Sequence, residues 1–192
     1  KQDKTNKLIV FLWQLLTYTE NDQLNISFNA PSASGKSYLS LEIASLFPEE
    51  DIIDLGYASP ASFFHTKSTF SKERNGYVID LERKILIFLD MPHPQLLERL
   101  RPVLSHDKKE VHIKIADKQR TGLMTKDIYI VGHSSVIFCS ASFSYDEQEL
   151  TRFLLLSPET TQEKIRASIA ELVKKETDIL LYYRKLTENP SR

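Results

Sequence analysis

Ala30-Pro31-Ser32-Ala33-Ser34-Gly35-Lys36-Ser37 decides how this chain is read. The pattern is A-x-x-x-x-G-K-S, with Ala where a phosphate-binding (Walker A) loop ordinarily opens on Gly. Before it, Leu24-Asn25-Ile26-Ser27-Phe28 alternates apolar and polar, which predicts a strand. After it, Tyr38 to Leu46 has the spacing of a helix. Between a strand and a helix the backbone curls so that successive N–H groups point inward at an anion. The helix N-terminus adds partial positive charge, and Gly35 removes a Cβ from the approach. The residues expected to hold a nucleotide are Ala30, Pro31, Ser32, Ala33, Ser34, Gly35, Lys36, Ser37 and Tyr38. Lys36 is expected to bridge the β- and γ-phosphates of ATP, and the Ser37 hydroxyl to complete a Mg²⁺ shell.

Composition bounds what surrounds this loop. With 192 residues the chain can bury a real core as one large domain, or as a domain plus a small lid. The net charge of −1 argues against a wholly basic nucleic-acid coat, though a local basic loop remains compatible with it. One cysteine, Cys139 in an apolar run, leaves no disulfide framework and no Cys-rich zinc site. That favours a reducing, cytoplasmic setting. No apolar run approaches a membrane span and no signal peptide is visible. The chain opens at Lys1 without Met and closes in a charged helix, so it is expected to be a piece of a longer protein.

Strand and helix patterns alternate along the rest. Lys7 to Thr19 reads as an apolar amphipathic helix, more suited to core or adenine-side packing than to a membrane. Ile52 to Leu55 reads as a short strand, and Ala58 to Phe64 as a turn leading into a helical turn. Thr69 to Asn75 is polar and reads as a loop. Lys84-Ile85-Leu86-Ile87-Phe88-Leu89-Asp90 is a continuous apolar run ending in an acid, the pattern of a central parallel strand. Pro94 to Leu104 reads as a helix. Val111 to Ile115 and Ile128 to Val131 alternate around a charged, Gly122-bearing tip, which predicts a hairpin. Ser135 to Ser140 reads as another buried strand, Glu147 to Leu156 as a helix, and Thr161 to Leu186 as a long polar-patterned helix. The sum is an α/β fold with a mostly parallel central sheet flanked by helices, a β-hairpin insertion and a partial helical lid.

Asp90 is the second chemical signal. An acid at the C-terminal end of a strand, downstream of such a loop, can reach the metal and its water. Many such sites carry Asp-Glu here, whereas this chain has Leu89-Asp90-Met91. Either Asp90 holds the metal and the base is missing, or Asp90 takes the Glu position and Leu89 replaces the metal acid. The first reading is preferred.

The order of these parts resembles an AAA+ P-loop ATPase over roughly Lys7 to Leu172. A hairpin between the acid-bearing strand and the next strand is similar to the pre-sensor-1 insertion of the helicase-type clade. That clade includes mini-chromosome maintenance helicases, superfamily 3 helicases and mobile-element primase-helicases. The resemblance implies a P-loop core over 1–156, a hairpin insertion at about 110–131 and a partial lid over 157–192. It implies Ser140 as the sensor 1 residue, with Ser142 as the fallback. It implies Arg152 as an arginine finger reaching a neighbouring subunit, where a guanidinium neutralises charge on the transferring phosphoryl group. Arg166 is a weaker match to a lid arginine. Lys118, Arg120 and Lys126 fall in the hairpin tip and are expected to pair with phosphates of single-stranded DNA. The implied assembly is a hexamer or other ring, with no membrane partner.

Other residues read more plainly. His93, His106 and His112 are scattered, and a metal site needs convergent ligands. Lys174 and Lys175 beside Glu171 and Glu176 describe a solvated helix face. Three functions remain in competition. The first is the ATP-binding and hydrolysing motor of a DNA helicase or replication protein. The second is a small-molecule or nucleotide kinase, for which Arg99 and Arg101 could serve a lid. The third is a regulatory ATP-dependent loader or initiator with slow hydrolysis, favoured by the missing Asp-Glu pair. Fold alone does not choose among them.

Overall fold

The computed structural model describes residues 3–32, 34–57, 59–66, 68–105, 108–117, 124–140 and 152–188. Five short strands make one sheet: β1 (Asn25–Asn29), β2 (Ile52–Leu55), β5 (Ile85–Phe88), β8 (Ser135–Ser140) and β9 (Phe153–Leu156). Their order is β2-β5-β8-β1-β9, and every pairing is parallel. The continuous apolar runs explain this, because a strand covered on both faces has no polar side to alternate.

On one face lie α1 (Lys4–Leu15) and α2 (Lys36–Ala44). Val10, Leu39 and Ile43 from these helices pack with Ile26, Phe28, Ile85, Ile87 and Ile137 of the sheet. On the other face, α3 (Pro60–Thr66) brings Phe63 and Phe64, and α4 (Pro94–Leu104) brings Leu96, Leu100 and Val103. They enclose Leu86, Phe88, Val136 and Phe138, with Phe88 stacked on Phe138 at 5.0 Å between ring centroids.

A second sheet joins this core, ordered β3 (Thr69–Ser71), β4 (Gly76–Asp80), β7 (Met124–Val131), β6 (Glu110–Asp117). The expected hairpin is present as β6 and β7, antiparallel with Ile113 opposite Ile128. It does not stand alone, however. β7 also pairs in parallel with β4, and Ile79, Ile115, Ile128 and Ile130 are buried in the shared core. Lys126 lies within β7 opposite Ile115, not in the tip as expected. Its ammonium sits 3.3 Å from the centre of the Tyr77 ring.

Two further expectations are corrected. Glu147 to Leu156 does not continue as a helix, because Phe153–Leu156 is the edge strand β9, in register with Asn25–Phe28. A short apolar run fits either element, and the free edge of β1 decides it. Thr69 to Asn75 is not all loop. Thr69–Ser71 pairs with β4 before the turn, a pairing set by tertiary contact rather than local propensity.

The chain divides into two compact units, 4–158 and a second formed by 1–3 with 159–192. The second is built on α5 (Gln162–Glu188), where Lys164 pairs with Asp3 and the Glu159 amide donates to Asp3 at 2.8 Å. No helix among the described residues is long and apolar enough to cross a membrane.

Gly132 turns β7 into β8 with φ +85°, and a Cβ there would come 2.5 Å from the backbone N of Glu82. Gly132→Ala is therefore expected to cost roughly 2–4 kcal/mol in urea unfolding. Gly56→Ala, where a Cβ meets nothing within 4 Å, is expected to stay within about 0.5 kcal/mol. Equal losses would refute this steric reading.

Tyr18 donates to Asp51 Oδ2 at 2.7 Å, and Lys84 Nζ lies 3.4 Å from Asp51 Oδ1. Burial first, then the hydrogen bond and the charge of Asp51, push the Tyr18 phenol up to about 12 from 10.0. A raised acid favours the folded state while it keeps its proton, so this stabilisation is full below pH 10 and lost as pH rises through about 12. With Tyr18 37% exposed, Tyr18→Phe should cost only about 0.5–1 kcal/mol at pH 7. The gap from wild type should close between pH 10 and about 12 in chemical denaturation at stepped pH. A gap that widens with pH would contradict it.

Candidate phosphate-binding site

β1 ends at Asn29 on the C-terminal rim of the sheet, and the loop begins there with Ala30 buried and Pro31 and Ser32 exposed. Ala33 lies outside the described residues. Gly35 precedes the helix with φ +89°, and a Cβ built on it meets nothing within 4 Å. Its requirement is the left-handed backbone, not crowding. α2 starts at Lys36, so the amides of its first turn have no preceding helical carbonyl to bond.

Lys36 is 7% exposed. Burying an ammonium is costly unless it is hydrogen-bonded. Here Nζ folds back across the loop and donates to the carbonyls of Ala30 at 2.6 Å and Pro31 at 2.8 Å. The loop thus holds a cation against its own backbone, where an anion could take over those bonds. Ser37 is half-buried beside it, and Tyr38 is 62% exposed at the helix start.

The rim is completed by register. Asn29 is opposite Ser140, and Phe88 is opposite Phe138. Asp90 follows two residues beyond Phe88, past the end of β5. Asp90, Ser140 and the loop entrance thus all lie at the C-terminal ends of neighbouring strands. The strand itself stops at Phe88. Beyond it Leu89 N–H donates to Leu55 O at 2.8 Å and Asp90 N–H to Gly56 O at 3.0 Å. The exposed Asp90 carboxylate accepts from Met91 N–H at 2.7 Å. Leu89 packs with the α1–α2 side of the core. Gly56 and Asn29 were not singled out by sequence. Only the pairing of β2 with β5 and of β1 with β8 reveals them.

Cys139, next to Ser140, is buried with its sulfur 3.4 Å from Ser40 Oγ. Burial pushes its thiol up, while hydrogen bonds with Ser40 and Ser37 and the charge of Lys36 act in the other direction.

Several candidates stand elsewhere. Arg152 precedes β9, and its carbonyl accepts from the Asn25 side-chain amide at 3.4 Å. Asn25 opens β1, so Arg152 is at the opposite end of the sheet from its own loop. Arg166 is exposed on α5. Lys118, Arg120, His106 and Ser142 lie outside the described residues. His93 caps α4 by accepting from Gln95 N–H at 3.2 Å. His112 bonds Asp127 at 2.7 Å and stacks on Tyr129. Among the described residues no three His, Cys, Asp or Glu converge as a metal cluster. Arg99 lies 5.9 Å from the centre of the Phe64 ring, over α3.

No protein-family model matches the chain, and no curated protein matches it. Among solved structures it is similar to an apo A form of the NrS-1 C-terminal region, with 17% identity over 82% of this chain and a TM-score of 0.47. A second apo A-form structure of that region, residues 305–718, gives 14% identity over 84% of this chain and a TM-score of 0.42. The chain spans 34% of the length of each.

Proposed function

We propose that this chain binds ATP with Mg²⁺ at the loop Ala30–Ser37 and is the motor domain of a DNA helicase or replication protein working as a ring. The observation that carries the nucleotide reading is the Lys36 ammonium, buried and held by loop carbonyls directly after the left-handed Gly35. An incoming phosphate offers stronger, charge-assisted acceptors than those carbonyls. The first-turn amides of α2 would add donors for the same phosphate.

The Ser37 hydroxyl and the Asp90 carboxylate are the oxygen donors that would hold Mg²⁺, a hard cation that takes such ligands. When bound, it would supply charge neutralisation at the phosphates. Ser140, at the end of the neighbouring strand, would orient water there. Arg152 would serve a neighbouring subunit's site, which its distance from its own loop allows. Lys118 and Arg120, between the two strands of the hairpin, would hold DNA phosphates. Lys126, committed over Tyr77, would contribute charge from the sheet.

A second reading has one observation behind it. Leu89 and Met91 flank Asp90, leaving no acid beside it. A loader or initiator that binds ATP and hydrolyses it slowly fits that feature. The kinase reading has less support, since Arg99 covers Phe64 rather than the rim.

ATP hydrolysis with and without single-stranded DNA tests the proposal. Lys36→Ala is expected to weaken ATP binding at least about tenfold and to abolish turnover. Arg152→Ala should keep binding yet lose DNA-stimulated turnover by about a hundredfold or more, on the scale of other arginine fingers. Turnover that depends on Lys36 but ignores both DNA and Arg152 would overturn the motor reading. Turnover close to nil in wild type, with tight ATP binding, would favour the loader.

The DNA contact has its own test in fluorescence anisotropy. The double variant Lys118→Ala with Arg120→Ala should weaken single-stranded DNA binding roughly tenfold and flatten its dependence on salt by about 1.4 in log–log slope. An unchanged slope would remove the hairpin tip from the DNA path.

A further inference from the structure

β9 runs beside β1 with Leu156 opposite Phe28. Beyond that pair the two strands are joined through a side chain, where the Ser157 hydroxyl donates to the Asn29 carbonyl at 2.7 Å. Asn29 ends β1, so this carbonyl belongs to the peptide that opens the loop at Ala30. The next two carbonyls, of Ala30 and Pro31, accept the Lys36 ammonium at 2.6 and 2.8 Å. Three successive carbonyls at the loop entrance are thus held by two donors, a hydroxyl following β9 and an ammonium from α2. The backbone of Ser157 is held in turn. Its carbonyl accepts from the Asn6 side-chain amide of α1 at 3.0 Å. The buried Pro158 follows it, and a residue before proline is confined to extended conformations.

We infer that Ser157 is a positioning residue for the phosphate loop: its hydroxyl keeps the loop entrance in place when the Lys36 ammonium turns from the loop carbonyls to a phosphate. The two donors respond differently to an anion. A phosphate draws the ammonium away, because it is a stronger acceptor than a carbonyl. The Ser157 hydroxyl is neutral and set by its own backbone, so it stays on Asn29. In the free protein both donors hold the entrance, and losing one costs little. With nucleotide bound, only the hydroxyl of these two remains. The contact is therefore worth more in the bound state than in the free state, and that difference is what affinity reads. The inference rests on the proposed binding of ATP at this loop.

The test is calorimetric titration of the full chain with ATP in excess Mg²⁺ for wild type, Ser157→Ala and Ser157→Thr, with amide hydrogen exchange of the same proteins before and after ATP. Ser157 is exposed, so removing its hydroxyl leaves no cavity. In Ser157→Ala, ATP should bind about fivefold more weakly, the scale of one lost hydrogen bond. Exchange at residues 34–38 should stay within about twofold of wild type in the free protein and rise about fivefold with ATP bound. Ser157→Thr keeps the hydroxyl and should bind ATP within about twofold of wild type. A contact that only stabilises the fold would raise exchange equally in both states and leave ATP affinity unchanged. That result overturns the inference while leaving the nucleotide reading intact. Loss in Thr as large as in Ala also overturns it, because shape and not the hydroxyl would then matter. A wild type that does not bind ATP overturns the nucleotide reading, and the inference with it.

Discussion

The parallel pairing of Asn25–Asn29 with Val136–Ser140 governs where the chemistry of this chain stands. It delivers the Lys36 loop, Cys139 and Ser140 to one rim. The next pairing, Phe88 with Phe138, brings the end of β5, which Asp90 follows, to the same rim. A one-residue slip in such a sheet would send every side chain to the opposite face. It would drive Phe138 out of its stack with Phe88 and turn Cys139 away from Ser40. The core around Phe88 and Phe138 on one face and the core around Ile26, Phe28 and Ile87 on the other therefore fix the register that the site depends on.

The loop itself shows the tension that a phosphate site requires. A buried ammonium is unfavourable in isolation, and the left-handed turn before it is open without steric cost only to a glycine. They persist because the strand before them and the helix after them are anchored in the core by Ile26, Phe28, Leu39 and Ile43. The carbonyls of Ala30 and Pro31 stabilise the ammonium, and on the proposed reading a phosphate would replace them as the stronger acceptor. The second sheet has a different character. β7 is tied to β4 as well as to β6, and the sheet is buried through Ile115, Ile128 and Ile130.

Much of this was legible in the residues. A-x-x-x-x-G-K-S between a strand and a helix marks the loop because each residue type answers a local demand. The apolar runs around Ile87 and Phe138 mark buried parallel strands because nothing in them alternates. What stayed hidden was set by tertiary pairing. Phe153–Leu156 reads equally well as helix or strand, and only the open edge of β1 selects the strand. Thr69–Ser71 is polar enough for a loop and becomes a strand through β4. Lys126 has the charge of a tip residue, yet its place in the ladder opposite Ile115 puts it over Tyr77. Cys139 carried no motif at all, and its contacts depend on one-residue register across two elements.

Amide hydrogen exchange with and without ATP and Mg²⁺ tests the central claim most directly. The account predicts that nucleotide slows exchange at Ser34–Tyr38 and around Asp90, while Phe153–Leu156 at the far edge strand changes little. Saturating ATP that leaves Ser34–Tyr38 unprotected, or that protects a different surface instead, would contradict it.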